Sequence, residues 1–284
     1  MRIHVDGDVI VYRAGFAAEK ALYSLVFDGN QEQFTYKKDL EEAISDLGLQ
    51  EGQYEVVRGR NLEPVGNALH NVKSMIGDVT SNLNSDDVVI HLSGGTNFRE
   101  GIAVTKPYKG HRDKKHKPEH GPAIKEYMER HWPVIWSDNE EADDTIGYNH
   151  YKMWEEDQYS SIVCTTDKDL DMIPGLHYNL TSQSKYYVEP EDADWVFYVQ
   201  LLTGDSTDNI PGCPGIGAVK AKKVLDRGMS VQDMYEVCLD AYKGDEELLL
   251  EQARLIWIRR EPDQLWEPPV DEDGEGIRDR TVSE

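Results

Sequence analysis

Glu140-Glu141-Ala142-Asp143-Asp144 places four carboxylates within five residues. The run opens a segment in which Ala142, Ile146, Met153 and Trp154 recur at helical spacing, and it follows the strand-like Pro133-Val134-Ile135-Trp136. On a helix Glu141, Asp143 and Asp144 project over about one turn, because residues three apart share a face. Like charges so close repel, and the chain must offer them the positive end of a helix dipole or a cation. The dipole alone accounts for one such run. Three further acidic turns turn the expectation toward a cation: Asp6-Gly7-Asp8 behind the first strand, Asp167-Lys168-Asp169 behind Ile162-Val163-Cys164, and Asp205 with Asp208 in Gly204-Asp205-Ser206-Thr207-Asp208-Asn209.

The spacing of apolar residues predicts how these turns are carried. Ile3-His4-Val5-Asp6 reads as a strand that presents carboxylates at its carboxyl end, where open α/β sheets bind ligands, and Val9-Ile10-Val11-Tyr12 reads as more strand. Tyr23 to Phe27, Asp28-Gly29-Asn30 and Phe34 to Lys37 read as a β-hairpin with Asp-Gly turn chemistry. Leu62, Val65, Leu69, Val72, Ile76, Val79 and Leu83 form the strongest helical stripe. Asp87 to Leu92 is a buried-type strand, and helix–strand alternation continues to His177–Leu180. Alternation of this kind implies a mainly parallel, helix-covered α/β sheet. Beyond about Ser182 the chain becomes helical: an apolar helix at Trp195 to Leu202, a Gly/Pro-punctuated loop from Ile210 to Gly217, then helices near Ala218–Leu225, Val231–Tyr242 and Leu248–Ile258. Asp271 to Glu284 is acidic, lacks apolar periodicity and reads as poorly ordered.

A chain of 284 residues with 39% hydrophobic and 30% charged residues can bury a substantial core. No apolar run approaches the ~20 residues of a membrane span, and Met1 to Asp6 lacks the apolar core of a signal peptide, so a cytoplasmic protein with no membrane partner is expected. Cys164, Cys213 and Cys238 are too few and too scattered for a disulfide framework or a zinc cluster. The net charge of −24 looks hostile to a polyanion, but a phosphate feels the local field within about 8–10 Å. Between Lys106 and Lys125 lie Lys109, His111, Arg112, Lys114, Lys115, His116, Lys117 and His120, with Asp113 and Glu119 as the acids, a composition suited to a phosphate-holding strap.

Carboxylates gathered from several strand ends, with no histidine or cysteine pattern, suit magnesium, a hard cation that prefers oxygen and retains waters. Asp6, Glu141, Asp143, Asp144, Asp167, Asp169, Asp205 and Asp208 supply such a set. Two ions about 3.5–4 Å apart would hydrolyse a phosphodiester. Gly215-Ile216-Gly217, with Lys220, Lys222 and Lys223 behind it, permits a tight turn whose backbone N–H groups approach a phosphate.

Val5-Asp6-Gly7, Tyr108-Lys109-Gly110-His111-Arg112, Glu141-Ala142-Asp143-Asp144, Thr166-Asp167-Lys168-Asp169 and Gly204 through Gly217, in that order, resemble the 5′-nuclease superfamily, and within it the 5′→3′ exonucleases and flap endonucleases of tailed bacteriophages. The resemblance runs from Asp6 to about Arg259. It implies a Rossmann-like (PIN-like) nuclease domain at 1–182 with a helical arch near 106–125 and a helix-three-turn-helix DNA-binding region at 183–262, while composition makes 263–284 a disordered acidic tail. It further implies two Mg²⁺ ions, replaceable by Mn²⁺, one served by Asp6, Glu141, Asp143 and Asp144, the other by Asp167, Asp169, Asp205 and Asp208. Lys109 and Arg112 would act on the scissile phosphate together with Asp6 and Asp143, while Tyr108, Lys114, Lys115, Gly215, Gly217 and Lys220 would contact DNA. A K⁺ ion shared with a DNA phosphate is implied at Cys213–Gly217. The resemblance implies DNA as the partner, at 5′ ends, flaps and nicked or branched duplex, and a monomer is expected, with the acidic tail as a candidate contact for a replication protein.

Relatives usually carry an aspartate after the second core strand, where this chain has Ser93. Asp8, on the same strand face as Asp6 if the strand continues, is the candidate to restore that charge. Ser93 is also the sequence support for a competing reading, a degenerate nuclease that binds branched DNA without cutting it. A PIN-type ribonuclease does not account for Gly204 to Lys223, and a calcium protein of the EF-hand type does not account for the spacing of the acids.

Overall fold

The computed structural model describes residues 1–110 and 117–270. These form two compact units, one from residues 1–8, 79–110 and 132–270, the other from 9–78 and 117–131.

The first unit is built on a six-stranded sheet. Its strands are β1 (Arg2–Asp6), β5 (Val88–Leu92), β6 (Val134–Trp136), β7 (Ser161–Thr165), β8 (Gly175–Asn179) and β9 (Ser184–Val188), in the order β6-β5-β1-β7-β8-β9. All neighbours are parallel except β8 and β9. Every residue of β5 and β7 is buried, as expected of parallel strands covered on both faces. The parallel strands β1, β6 and β7 therefore deliver their acidic turns to one end of the sheet, as the α/β alternation predicted. Gly7 makes the first of these turns possible: a Cβ there would lie 2.6 Å from the carbonyl oxygen of His91.

Helix α6 (Ala142–Glu156) follows β6, and a helical region follows β9. It comprises α7 (Pro190–Thr203), α8 (Ala218–Val224), α9 (Val231–Ala241) and α10 (Glu246–Ile256), close to the expected bounds. These helices share a core of Phe197, Tyr198, Leu201, Leu202, Tyr235 and Cys238 and belong to the same unit as the sheet. Trp266 falls within the segment 263–284 expected to be a disordered tail. Trp266 is buried, its ring centroid 5.5 Å from Phe197 and 6.1 Å from Tyr235, because a large apolar side chain had a place on this core. Residues 271–284 lie outside the described residues.

The second unit holds an antiparallel sheet, β3-β2-β4, from β2 (Glu19–Phe27), β3 (Asn30–Phe34) and β4 (Tyr54–Leu62). The β2–β3 hairpin turns at Asp28 and Gly29, both at positive φ, as Asp-Gly predicts. It forms its own sheet with β4, a strand the alternation did not announce because most of its side chains are exposed. The stripe ending at Leu83 forms α3 (Val65–Leu83), with Ala68, Val72, Ile76 and Val79 buried. One expectation fails. Residues Gly7–Ala17 are helix α1, not strand, since Ile10, Val11 and Ala14 bury at helical spacing. The remaining helices are α2 (Lys37–Asp46) and α5 (Gly121–His131) here, and the short α4 (Arg99–Ile102) in the first unit.

Four histidines lie buried in the first unit: His4 on β1, His91 on β5, His150 on α6 and His177 on β8. Their hydrogen bonds fix neutral tautomers. Thr145 donates to the Ala142 carbonyl, so His91 Nδ1 donates to Thr145 Oγ1 at 2.7 Å, and His91 Nε2 accepts from His4 Nδ1 at 3.0 Å. His150 Nε2 donates to the Pro174 carbonyl and its Nδ1 accepts from Ser161. Burial pushes His4, His91 and His150 down to about 3, with the neighbouring rings His91 and His177 adding to the effect on His4 and His150. The unfolded chain therefore binds more protons below about pH 6.5, and stability contributed by the neutral rings is lost as pH falls from there toward about 3. Each histidine contributes a slope of about 1.4 kcal/mol per pH unit in that window. Urea denaturation between about pH 7 and about pH 5 should show falling stability, and His4→Gln, which keeps a donor toward His91 but takes no proton, should flatten the slope. An unchanged slope in the variant would remove His4 from the account.

Candidate active site

The four carboxylates of the Glu140–Asp144 run go to four different environments. Asp144 turns inward. Its two oxygens receive the Arg99 guanidinium at 2.6 and 2.9 Å, the Glu141 N–H at 3.1 Å and the Arg259 N–H at 3.2 Å. Arg99 also donates to the carbonyls of Leu255 and Trp257. Both side chains are almost wholly buried. Burial alone would raise the Asp144 carboxyl, but Arg99 and the two backbone N–H groups outweigh it and hold it below the usual range. Asp144 thus departs from its expected role: with its oxygens engaged by four donors, it is a structural counter-ion and not an open metal ligand. Glu140 pairs with Arg259 at 2.8 Å and accepts from Tyr148 at 3.1 Å.

Glu141 and Asp143 face the other way. Glu141 caps α6 and meets the Lys109 ammonium and, at 3.3 Å, the Tyr108 hydroxyl. Asp143 is raised well above its ordinary value by burial and then by the charges of Asp6, Asp167 and Glu141. Those three come from the end of β1, the turn after β7 and the cap of α6. Asp6 is oriented by Thr165 of β7, whose hydroxyl donates to Asp6 Oδ2 at 2.7 Å and accepts the Asp167 N–H at 2.9 Å. Asp169 follows, its N–H on Asp167 Oδ1 at 3.0 Å. Burial, then Asp167, Asp205 and Asp208, push its carboxyl up to about 7, against a bond from Gln200 of α7.

Asp205 and Asp208 sit on a closed turn. Asp205 and Ile210 exchange both backbone hydrogen bonds, at 2.9 and 2.8 Å. At the neck, Gly204 and Gly212 lie backbone against backbone: a Cβ on either would come within 2.6 Å of the other segment, and both have positive φ. Asp208 accepts from the Tyr108 hydroxyl at 2.9 Å and stands 3.5 Å from the Lys109 ammonium. Burial and Glu141 raise the Tyr108 hydroxyl well above its ordinary value, so it stays a donor. One cavity is lined by Tyr108, Glu141, Asp143, Asp169, Asp205 and Asp208.

Ser93 and Asp8 are placed differently from the sequence expectation. Asp8 lies in the first turn of α1, off the strand, and accepts the Ser93 N–H at 3.1 Å. Ser93 Oγ accepts the Ala142 N–H at 3.0 Å, satisfying a donor at the start of α6 that the helix itself leaves open. Gly215, Gly217 and Lys220 are exposed about the start of α8; a Cβ on either glycine would meet open space, and Gly215 has positive φ. Arg112, Lys114 and Lys115 lie outside the described residues. Arg99, Thr165, Gln200 and Arg259 belong to the site, yet no motif marks them: each acts through a partner far away in sequence.

Among the described residues no three acidic, histidine or cysteine side chains already stand in metal-coordinating geometry. The chemistry of the donors nevertheless fits a hard divalent cation. Asp6, Glu141, Asp143, Asp167, Asp169, Asp205 and Asp208 offer oxygen alone, and Asp143 and Asp169 are each raised by burial and then by neighbouring carboxylates, a cost that a cation would relieve.

Asp143 and Asp144 should separate cleanly on stability. Asp144→Asn leaves Arg99 buried without its counter-charge and should cost about 3–5 kcal/mol. Asp143→Asn removes a repelled charge and should leave stability unchanged or raised in metal-free buffer. Urea denaturation of the two variants checks this, and equal losses would refute the assignment of opposite roles.

A family model described as the 5'-3' exonuclease N-terminal, resolvase-like domain matches residues 55–192. A 5'-3' exonuclease of Halalkalibacterium halodurans is 31% identical over 136 residues, 43% of this chain and 45% of that protein. DNA polymerase I of Bacillus subtilis is 32% identical over 163 residues, 51% of this chain and 18% of that protein. The chain thus spans less than half the length of these curated relatives. The bacteriophage T5 protein co-crystallised with metal ions shares the fold at TM-score 0.59 and 17% identity, over 89% of this chain and 88% of that one. A bacteriophage T5 flap endonuclease in complex with DNA and metal ions matches at TM-score 0.52 and 20% identity, over 66% and 80%. Residues 55–192 are thus similar to the N-terminal domain of 5'-3' exonucleases, and the sheet with acidic turns at its strand ends shares the fold of the bacteriophage T5 protein.

Proposed function

We propose that this protein is a magnesium-dependent 5′→3′ DNA exonuclease that also cleaves 5′ flaps, acting as a cytoplasmic monomer on 5′ ends and on nicked or branched duplex during DNA replication and primer removal. The observation that carries the reading is the meeting of seven carboxylates from β1, α6, the turn after β7 and the turn after α7, with Lys109 among them. Asp6, Glu141 and Asp143 would hold one divalent ion, and Asp167, Asp169, Asp205 and Asp208 the other, with Mn²⁺ able to replace Mg²⁺. Such ions supply an activated water and stabilise the leaving oxygen of a phosphodiester.

The chain's own residues prepare the site. Thr165 fixes the orientation of Asp6, Gln200 that of Asp169, and the Arg99–Asp144 pair that of the α6 cap. Tyr108 keeps its proton and holds Glu141 and Asp208 in place. Lys109 is the cation available to a reacting phosphate, with Arg112, Lys114 and Lys115 continuing the basic strap. Gly215, Gly217 and Lys220 would receive the duplex backbone, and the Cys213–Gly217 loop a potassium ion shared with it. The acidic segment 271–284 would be free to meet a replication protein. The binding-only alternative rests on Ser93 alone, whose hydroxyl accepts the Ala142 N–H at the start of α6, and cleavage measurements decide between the two readings.

Two measurements test the reading. Asp143→Asn should lower cleavage of a labelled 5′-flap duplex by about 10²-fold or more with unchanged circular dichroism, as should EDTA on the unmodified protein. Full activity in either case would sink the metal assignment. Lys109→Ala should lower the rate at saturating DNA by about 10²–10³-fold while weakening binding far less, because a cation aimed at the reacting phosphate acts on the transition state. A variant that binds worse but cuts saturating substrate normally would demote Lys109 to a general electrostatic contact.

A further inference from the structure

Residues 107–109 are fastened to two acidic elements at once. Tyr108 donates to Asp208 of the turn after α7 and reaches Glu141 at the cap of α6. Lys109 sets its ammonium on Glu141 and 3.5 Å from Asp208. The backbone repeats the attachment: the Lys109 N–H donates to the Asp208 carbonyl at 2.9 Å, and Asn209 Nδ2 donates to the Pro107 carbonyl at 2.8 Å. Lys109 itself has a φ of +52°, which a lysine holds only where its surroundings over-determine it. The contact is thus built into the fold by the Tyr108 hydroxyl and two backbone-anchored bonds, not by a side chain that chanced upon an acid.

Glu141 and Asp208 are also the two carboxylates that connect the two acidic sets to this clasp. An oxygen that gives its lone pair to an ammonium gives less to a divalent ion, and the ammonium and the ion repel each other across the shared carboxylate. We propose that Lys109 is a built-in competitor of the divalent cations: the Lys109 clasp on Glu141 and Asp208 and full cation loading exclude one another, so cation binding releases the ammonium toward solvent and an incoming phosphate. The inference rests on the reading above that these acids take divalent ions. By thermodynamic reciprocity, whatever the clasp subtracts from cation affinity the cations subtract from the clasp. The backbone bonds of Lys109 and Asn209 can persist while the side chain swings away, so the segment stays anchored.

Two arms test it without measuring cleavage. Titration calorimetry with Mg²⁺ should show Lys109→Met binding about fivefold more tightly than the unmodified protein, the range of a partly exposed ion pair removed as a competitor. Amine labelling followed by mass spectrometry should show Lys109 more reactive in saturating Mg²⁺ than in EDTA, with Lys152, in the carboxyl-terminal half of α6, as the internal reference. This second arm separates release of the ammonium from a general gain in affinity on deleting a positive charge. Equal or lower Mg²⁺ affinity in Lys109→Met, or Lys109 labelling that does not rise with Mg²⁺, overturns the proposal. Asp143→Asn distinguishes the layers: if it takes up Mg²⁺ as well as the unmodified protein, the metal reading falls and the proposal with it. Uptake that depends on Asp143 but ignores Lys109 overturns the competitor alone.

Discussion

The buried pair of Arg99 and Asp144 is the interaction on which the acidic end of the molecule depends. A carboxylate and a guanidinium withdrawn from water this completely survive only when nearly every donor and acceptor is matched, and here Arg99 meets Asp144 twice and two carbonyls besides. The carbonyls belong to Leu255 and Trp257, at the end of α10, so one guanidinium ties the helical region to the start of α6. With that start fixed, consecutive residues can serve opposite purposes. Glu140 and Asp144 face the guanidiniums of Arg259 and Arg99, while Glu141 and Asp143 turn to the acidic cluster and its Lys109. Without two of its four charges neutralised from behind, a run this dense would have no reason to hold the other two together.

The same economy of placement recurs in the turn after α7. Its carboxylates are exposed to their neighbours only because Gly204 and Gly212 close the neck beneath them, and the Asp205–Ile210 bridge keeps the turn from opening. At the sheet, Gly7 brings the end of β1 against β5, and Thr165 reads out the position of Asp6 from the adjacent strand. Rigid backbone contacts set where each carboxylate begins, and hydrogen bonds from neutral groups set where it points. Charge repulsion is then borne by the covalent frame and not relaxed by side-chain rotation.

Much of this was legible in the chain. The parallel strands, the Asp-Gly hairpin and the stripe of α3 follow from periodicity, which is a local property. The acids at strand ends follow from the topology that such periodicity implies. What escaped was non-local or ambiguous. Val9-Ile10-Val11-Tyr12 is β-branched and apolar, yet it lies in α1, because burial at Ile10, Val11 and Ala14 decided the matter over propensity. Asp144 looked like its neighbours until Arg99, 45 residues earlier, claimed it. Ser93 looked like a missing ligand because a helix N-terminus in need of an acceptor leaves no mark in the sequence. Trp266 looked like the start of a tail because one aromatic among prolines and acids has no period to read.

The order in which a ribosome delivers these parts adds a constraint. Glu140 has its cationic partner at Arg259, Asp144 takes a bond from the Arg259 N–H, and the aromatic core of the helical region is capped by Trp266. A nascent chain that has already produced all the acids through Asp208 still lacks the residues that orient two of them and cover Phe197. Assembly of the acidic end is thus deferred until residues 259–266 have been made, and a chain cut short of them carries the acidic sequence without the contacts that hold Glu140 and Asp144.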